Sequence, residues 1–197
     1  MGRNDADRAV QGLHAGNVRY AGGWPTQPHQ TRERRLEIAS AQRPFAAILG
    51  CSDSRVPPEI VFDQGLGDLF VVRTAGHVVD HIVLASLEYA VEHLKVPLIV
   101  VLGHTRCGAV AAAVEGGEHH GHLGHLGHLV EAIRPAVEKA EDDPAYVLDR
   151  AVRENVVRVV AELEASTPVL AHLVQGETLS IVGAVYTLET GRVEFLR

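Results

Sequence analysis

Cysteine is scarce in this 197-residue sequence: Cys51 and Cys107 are the only two, too few for a disulfide framework and better suited to metal binding or catalysis. Positive charge is also in deficit. Eighteen Lys and Arg stand against 25 Asp and Glu, a formal net charge of −7, which provides no general attraction to nucleic acid or to an anionic membrane. The most basic stretch, Arg32 to Arg35, holds three arginines and is too small a patch for a groove reader. No run of about 18 apolar residues occurs, which excludes a membrane-spanning helix. The amino terminus is polar, lacks the apolar core of a signal peptide, and has Ala6 where a myristoylation signal needs Ser or Thr. Neither nucleic acid nor membrane is an expected partner, and the expected location is the cytoplasm. No segment reads as a linker, so a chain that is 46% hydrophobic is expected to form one domain over residues 1–197, with a helical arm at 1–41 and an α/β core at 42–197.

Hydrophobic periodicity supplies the elements. Residues 5–21 read as an amphipathic helix with Ala6, Ala9, Val10, Leu13 and Val18 near one face, stopped by Gly22-Gly23. A second helix is expected over Arg32 to Ala41, and the intervening GGWPTQPHQ reads as an extended arm of the kind that packs on a neighbouring subunit. Short runs apolar on both faces follow, FAAILG (45–50), LFVVR (69–73) and LIVVLG (98–103), separated by helical stretches at 81–95 and from 107 onward. That alternation predicts a mainly parallel central sheet flanked by helices, with right-handed crossovers. Further helices are expected near 129–140 and 145–165, and LSIVGAVYTLETGRVEFL closes the chain as a hairpin turning at Thr190-Gly191. The glycine- and histidine-rich tract at 116–129 reads as a solvated loop, three times more readily than as a metal reservoir.

Two segments at the ends of buried strands carry the chemistry. Cys51-Ser52-Asp53-Ser54-Arg55 follows the first, and if the backbone stays extended, thiol, carboxylate and guanidinium share one face. Gly103-His104-Thr105-Arg106-Cys107-Gly108 follows the third, with His and Cys three apart where strand turns into helix. In an open parallel sheet the crevice beyond the strands' carboxyl ends is the ligand site, so the two segments meet there. Cys, Cys, His and Asp are donors that zinc accepts in tetrahedral geometry. Structural zinc sites use short paired spacings, whereas these segments lie about 50 residues apart, which favours a catalytic ion. Two thiolates donate more charge than imidazoles would, so zinc-bound water should be less acidic and an alkaline pH preference is expected. Asp53 can pair with Arg55 and orient a zinc-bound hydroxide, or, released from Arg55, ligate the zinc itself.

The string CSDSRVPPEIVFDQGLGDLFVVRTAGH, then SLEYAVEHL and GHTRCGAV, resembles the β-class carbonic anhydrases from about Gly16 to the final strand. The resemblance implies an α/β fold, a homodimer or dimer of dimers, one Zn2+ per chain, and reversible hydration of CO2 to bicarbonate and a proton. It implies Cys51, His104 and Cys107 as zinc ligands, with Asp53 a fourth ligand in a closed form and a dyad with Arg55 otherwise. Gln42 matches a residue that reaches substrate oxygen, usually from the adjoining subunit. Phe70 and Tyr89 match aromatic pocket walls, Ala75 a wall position, and the Gly108 N–H a substrate contact. The chain departs from many members at Gly76-His77, where those have Ala-Asn, and at Ile48, where the branch with an inhibitory bicarbonate site has Trp.

Rival readings start from the same residues. A carbonyl sulfide or carbon disulfide hydrolase would share the metal site. A non-catalytic zinc protein would not need Asp53 and Arg55, and a dithiol redox protein would be expected to have CxxC. His77, His81 and His93 are candidate proton shuttles, each more readily a surface or hydrogen-bonded histidine.

Overall fold

The two fully buried runs become adjacent central strands, β1 (Ala46–Cys51) and β3 (Leu98–His104), whose side chains alternate between two separate cores. Ala47, Leu49, Cys51, Ile99 and Val101 enter one core, while Ala46, Ile48, Leu98, Val100 and Leu102 enter the other. A strand apolar on both sides is the signature of a sheet covered on both faces, and period 2 divides its residues between them. The computed structural model describes residues 2–116, 124–140 and 146–196.

With β2 (Leu69–Thr74), β4 (Ser180–Tyr186) and β5 (Val193–Leu196), the sheet has the order β2-β1-β3-β4-β5. The first four are parallel neighbours, and β5 runs antiparallel to β4 across the expected hairpin, where Gly191 has a φ of +71°. Register aligns the carboxyl ends: Cys51 lies opposite Thr74, and His104 opposite Tyr186.

On the first core's side pack α4 (His81–Glu92), α5 (Gly108–Val114), α6 (Leu126–Glu138) and α7 (Val147–Glu164). Asp80 caps α4, its carboxylate accepting the N–H groups of Ile82 and Val83. On the other side α1 (Arg3–Ala21) buries Ala6, Ala9 and Leu13 as expected, but Val18 is 46% exposed. Gly16 and Asn17 take its place. A Cβ on Gly16 would lie 1.8 Å from the Phe62 carbonyl oxygen, so the helix meets the next segment backbone to backbone. Asn17 then donates to the carbonyls of Val61 and Gly191 and accepts from the Val193 N–H.

Other boundaries differ for local reasons. α2 (Arg32–Glu37) is shorter than expected because the chain runs on to Ala41 in three-residue turns, Ala39 N–H to Leu36 and Ala41 N–H to Ile38. α3 (Pro58–Val61) and α8 (Leu170–Gln175) were not expected, being too short to display a period. The glycine–histidine tract is loop only in part: from Leu126 it forms the first turn of α6, and residues 117–123, with His119, His120 and His122, lie outside the described residues. The arm at 22–30 is anchored to its own chain where buried Asp63 accepts from Arg19, from the Thr26 N–H and hydroxyl, and from the Gln27 N–H. Among the described residues no helix is long and apolar enough to cross a membrane.

Candidate active site

Three elements deliver the metal-binding atoms to one edge of the sheet. Cys51 is the last residue of β1, His104 the last of β3, and Cys107 the cap preceding α5. Their donor atoms all lie within 4.8 Å of one another, and all three residues are buried. The two sulfurs are 3.9 Å apart. His104 directs Nδ1 to the Thr105 carbonyl at 2.9 Å, so Nδ1 carries the hydrogen and Nε2 keeps a free lone pair. That Nε2 is buried without a hydrogen-bond partner, 3.8 Å from Asp53 Oδ2. A buried orphan acceptor beside two thiols is unfavourable unless a cation takes the lone pair, and two S donors with one N donor suit tetrahedral zinc. The residues fit the metal.

The electrostatics agree. Two neighbouring thiols cannot readily both ionise without a cation between them. The hydrogen bond from Cys107 lowers the Cys51 pKa against the opposing effect of burial, with His104 and the N–H groups of Asp53 and Gly76 adding to it. The same sulfur–sulfur bond, with burial, raises Cys107. A divalent ion removes the conflict by stabilising both thiolates.

Asp53 pairs with Arg55, as the sequence suggests, but through a different backbone. β1 ends at Cys51 and residues 53–56 turn, with Val56 N–H bonded to the Asp53 carbonyl, so the three side chains do not share one extended face. Instead Arg55 folds back: its backbone N–H and Nε donate to Oδ1, both at 2.9 Å, and Nη2 donates to Oδ2 at 2.7 Å. The Arg55 hydrogen bonds, against the opposing effect of burial, hold the Asp53 carboxyl well below the usual range, so it is ionised. Nη2 also reaches the Arg106 carbonyl at 3.3 Å, linking the two ligand segments.

Sequence reasoning passed over Arg73. Its Nε donates to the Cys51 carbonyl at 2.8 Å and its Nη2 to the Asp53 carbonyl at 2.6 Å, bracing the turn between ligand and acid. The only available signal was an arginine closing an otherwise apolar strand.

Of the remaining expected residues, Ala75 and Gly108 lie at this edge. Ala75 is exposed and precedes Gly76, whose N–H donates to Cys51 Sγ at 3.3 Å. Gly108 opens α5, and a Cβ added there would meet nothing within 4 Å. Gln42, Phe70 and Tyr89 are not brought to the cluster. Gln42 precedes β1 and lines an 820 Å³ cavity with Arg8, Arg43, Phe45, His93 and Lys95. Phe70 lies opposite Ala47, four residues or about 13 Å along the sheet from the Cys51 level. Tyr89 packs on Phe70 with ring centroids 6.1 Å apart. All three thus occupy the sheet's amino end. Among the candidate shuttles, His77 is buried, while His81 and His93 are exposed.

The fold and site have known counterparts. The carbonic anhydrase family model matches residues 46–193. The carbonic anhydrase of Mycolicibacterium smegmatis is 47% identical over 187 residues, which cover 94% of this chain and 91% of that relative. The solved Coccomyxa β-carbonic anhydrase in complex with acetazolamide is similar at a TM-score of 0.74 and 34% identity, over 82% of this chain and 75% of that one. A tetrameric β-carbonic anhydrase of the filamentous ascomycete Sordaria macrospora has a TM-score of 0.71 at 27% identity, over 92% of this chain and 93% of that one. Matched by that family model over most of its length and nearly half identical to the Mycolicibacterium relative, the chain belongs to the carbonic anhydrase family, in its β class, and is a zinc-dependent lyase that hydrates carbon dioxide reversibly.

Proposed function

We propose that Cys51, His104 and Cys107 hold one zinc ion per chain and that Asp53 and Arg55 orient the reacting groups beside it. The carrying observation is the convergence of three buried donors with a carboxylate kept ionised 3.8 Å from the unpartnered His104 nitrogen. Zinc bound there supplies a Lewis acid that makes water nucleophilic at workable pH. Asp53 accepts a hydrogen bond from the nucleophile and thereby directs its lone pair toward carbon dioxide, and Arg55 keeps that carboxylate off the metal. The Gly108 N–H, at the start of α5, donates to a substrate oxygen, and Ala75 borders the pocket. A three-bond pairing of Asp53 with Arg55 is more than metal storage requires, which supports catalysis over a purely zinc-binding role.

Gln42, Phe70 and Tyr89 act on the active site of a second copy of the chain in this reading. Within one chain they stand at the opposite end of the strands from Cys51, which supports a homodimer in which each amino end covers the partner's metal edge. A dimer of dimers is compatible with the same pairing. His93, exposed beside Tyr89 at 5.1 Å, would then carry protons out of the neighbouring site. Location in the cytoplasm accords with this scheme, since both thiols must stay reduced to bind metal.

Stopped-flow CO2 hydration on zinc-assayed protein tests the assignment. Cys107→Ser should lose the metal, while Asp53→Ala should keep it and lose at least 100-fold in kcat, within the range on the order of 10² to 10⁴ for a positioned proton-transfer partner. An Asp53→Ala enzyme at the wild-type rate would remove Asp53 from the mechanism.

A further inference from the structure

The Gly76-His77 pair stands behind the metal cluster with both residues in left-handed backbone, at φ +60° and +47°. At Gly76 a Cβ would lie 2.8 Å from Ile133 Cδ1 and 3.0 Å from Ala109 Cβ, so the left-handed conformation favours glycine and a side chain would have to displace its neighbours. A histidine in this region is uncommon, at about 1 kcal/mol or more of strain, and needs partners that hold it. Toward the site, the Gly76 N–H donates to Cys51 Sγ at 3.3 Å. From the other side comes Asn155 of α7, fully buried. Its Nδ2 donates to the Gly76 carbonyl at 3.0 Å and lies 2.9 Å from His77 Nε2.

Donor and acceptor rules fix every orientation in this group. A carbonyl only accepts and an arginine only donates, and Arg158 Nη2 lies 3.3 Å from Asn155 Oδ1. Asn155 therefore presents nitrogen to the Gly76-His77 pair and oxygen to Arg158. His77 Nε2 must then be an acceptor without a proton, so the neutral ring carries its hydrogen on Nδ1, a buried atom with no hydrogen-bond partner. Burial pushes the His77 pKa down to about 4, which agrees. Protonation would set a second donor against the Asn155 amide.

We propose that Asn155, acting through His77 and Gly76, is a positioning residue for Cys51: it locks the left-handed pair so that the Gly76 N–H stays on the ligand sulfur. An N–H···S bond fixes the sulfur's position before a cation arrives, so the metal meets a pre-organised ligand and is held more tightly. This inference rests on Cys51 being a zinc ligand.

Chelator competition for zinc, and the thiolate-to-metal absorption of protein loaded with Co2+, test it on wild type, Asn155→Asp, His77→Leu and His77→Asn. Asn155→Asp removes the amide donors and His77→Leu the acceptor. Both should weaken zinc binding about 10- to 100-fold, the range for partners of metal ligands, and shift the cobalt absorption. His77→Asn keeps an acceptor and tolerates left-handed backbone, and should recover both readouts most of the way. If Asn155→Asp does not fold, His77→Leu against His77→Asn decides alone. Variants that melt at lower temperature yet bind zinc and absorb light as wild type would overturn the proposal, leaving the unit a packing feature. Should Cys51→Ser bind zinc as tightly as wild type, the ligand assignment falls and this inference with it, an outcome distinct from equal behaviour of the Asn155 and His77 variants.

Discussion

Asp53, His104 and the two cysteines are residues whose chemistry could be read before their positions were known, because each stands at the end of a run apolar on both faces. A strand of that kind ends at a sheet edge, and two such ends, each carrying two donors, converge on one crevice. Arg73 and Asn155 were not legible. Each acts through a hydrogen bond to backbone brought near by the fold, Arg73 to the Cys51 and Asp53 carbonyls and Asn155 to that of Gly76, and no spacing announces it. His77, more readily a hydrogen-bonded histidine than a proton carrier in sequence, is a buried neutral acceptor in the structure. Its burial has a stability consequence with a definite sign. An unfolded histidine takes up a proton below about 6.5, whereas the folded one, lowered to about 4, does not, so protons favour the unfolded chain in that window. Stability should therefore be undiminished by this group above pH 6.5 and fall as pH drops toward 4, by on the order of 3 kcal/mol. Urea unfolding of wild type beside His77→Asn across that range checks it: the variant should show the flatter profile, and parallel profiles would refute the assignment.

At the scale of elements, the strands and long helices were predictable because burial imposes a period, and the short helices were not because one turn has none. α1 shows the limit. Its apolar residues were legible, but the helix turns Gly16 and Asn17 inward at its carboxyl half and leaves Val18 exposed. What decides this is close approach to Phe62, which a side chain would prevent. Gly16→Ala would place a methyl carbon 1.8 Å from the Phe62 carbonyl oxygen and should destabilise the protein by about 1–3 kcal/mol or more. Thermal denaturation measures the loss, and faster amide exchange in residues 3–21 would locate it. An unchanged melting temperature would mean that α1 shifts freely on the sheet, contrary to the three hydrogen bonds that Asn17 makes to the segments beside it.

For the whole molecule, the division of site residues between the two ends of the sheet makes a prediction that one chain alone cannot satisfy. In a mixed dimer of Gln42→Ala and Asp53→Ala chains, trans action leaves one site intact and loads both lesions onto the other, so activity should return to about half that of wild type. Action of Gln42 within its own chain would leave both sites damaged and restore nothing. Size-exclusion chromatography with light scattering on the same mixture gives the assembly state.

Sequence alone determined the class of sheet and singled out the candidate donors, since burial on both strand faces and donor chemistry are local properties. Tertiary structure decided the rest: that His104 Nε2 is left unpartnered toward two sulfurs, that Arg55 turns back on Asp53, and that Gln42, Phe70 and Tyr89 face away from their own metal edge. These depend on which segments the crossovers bring together and on register along the strands, and residues far apart in the chain carry no local record of either.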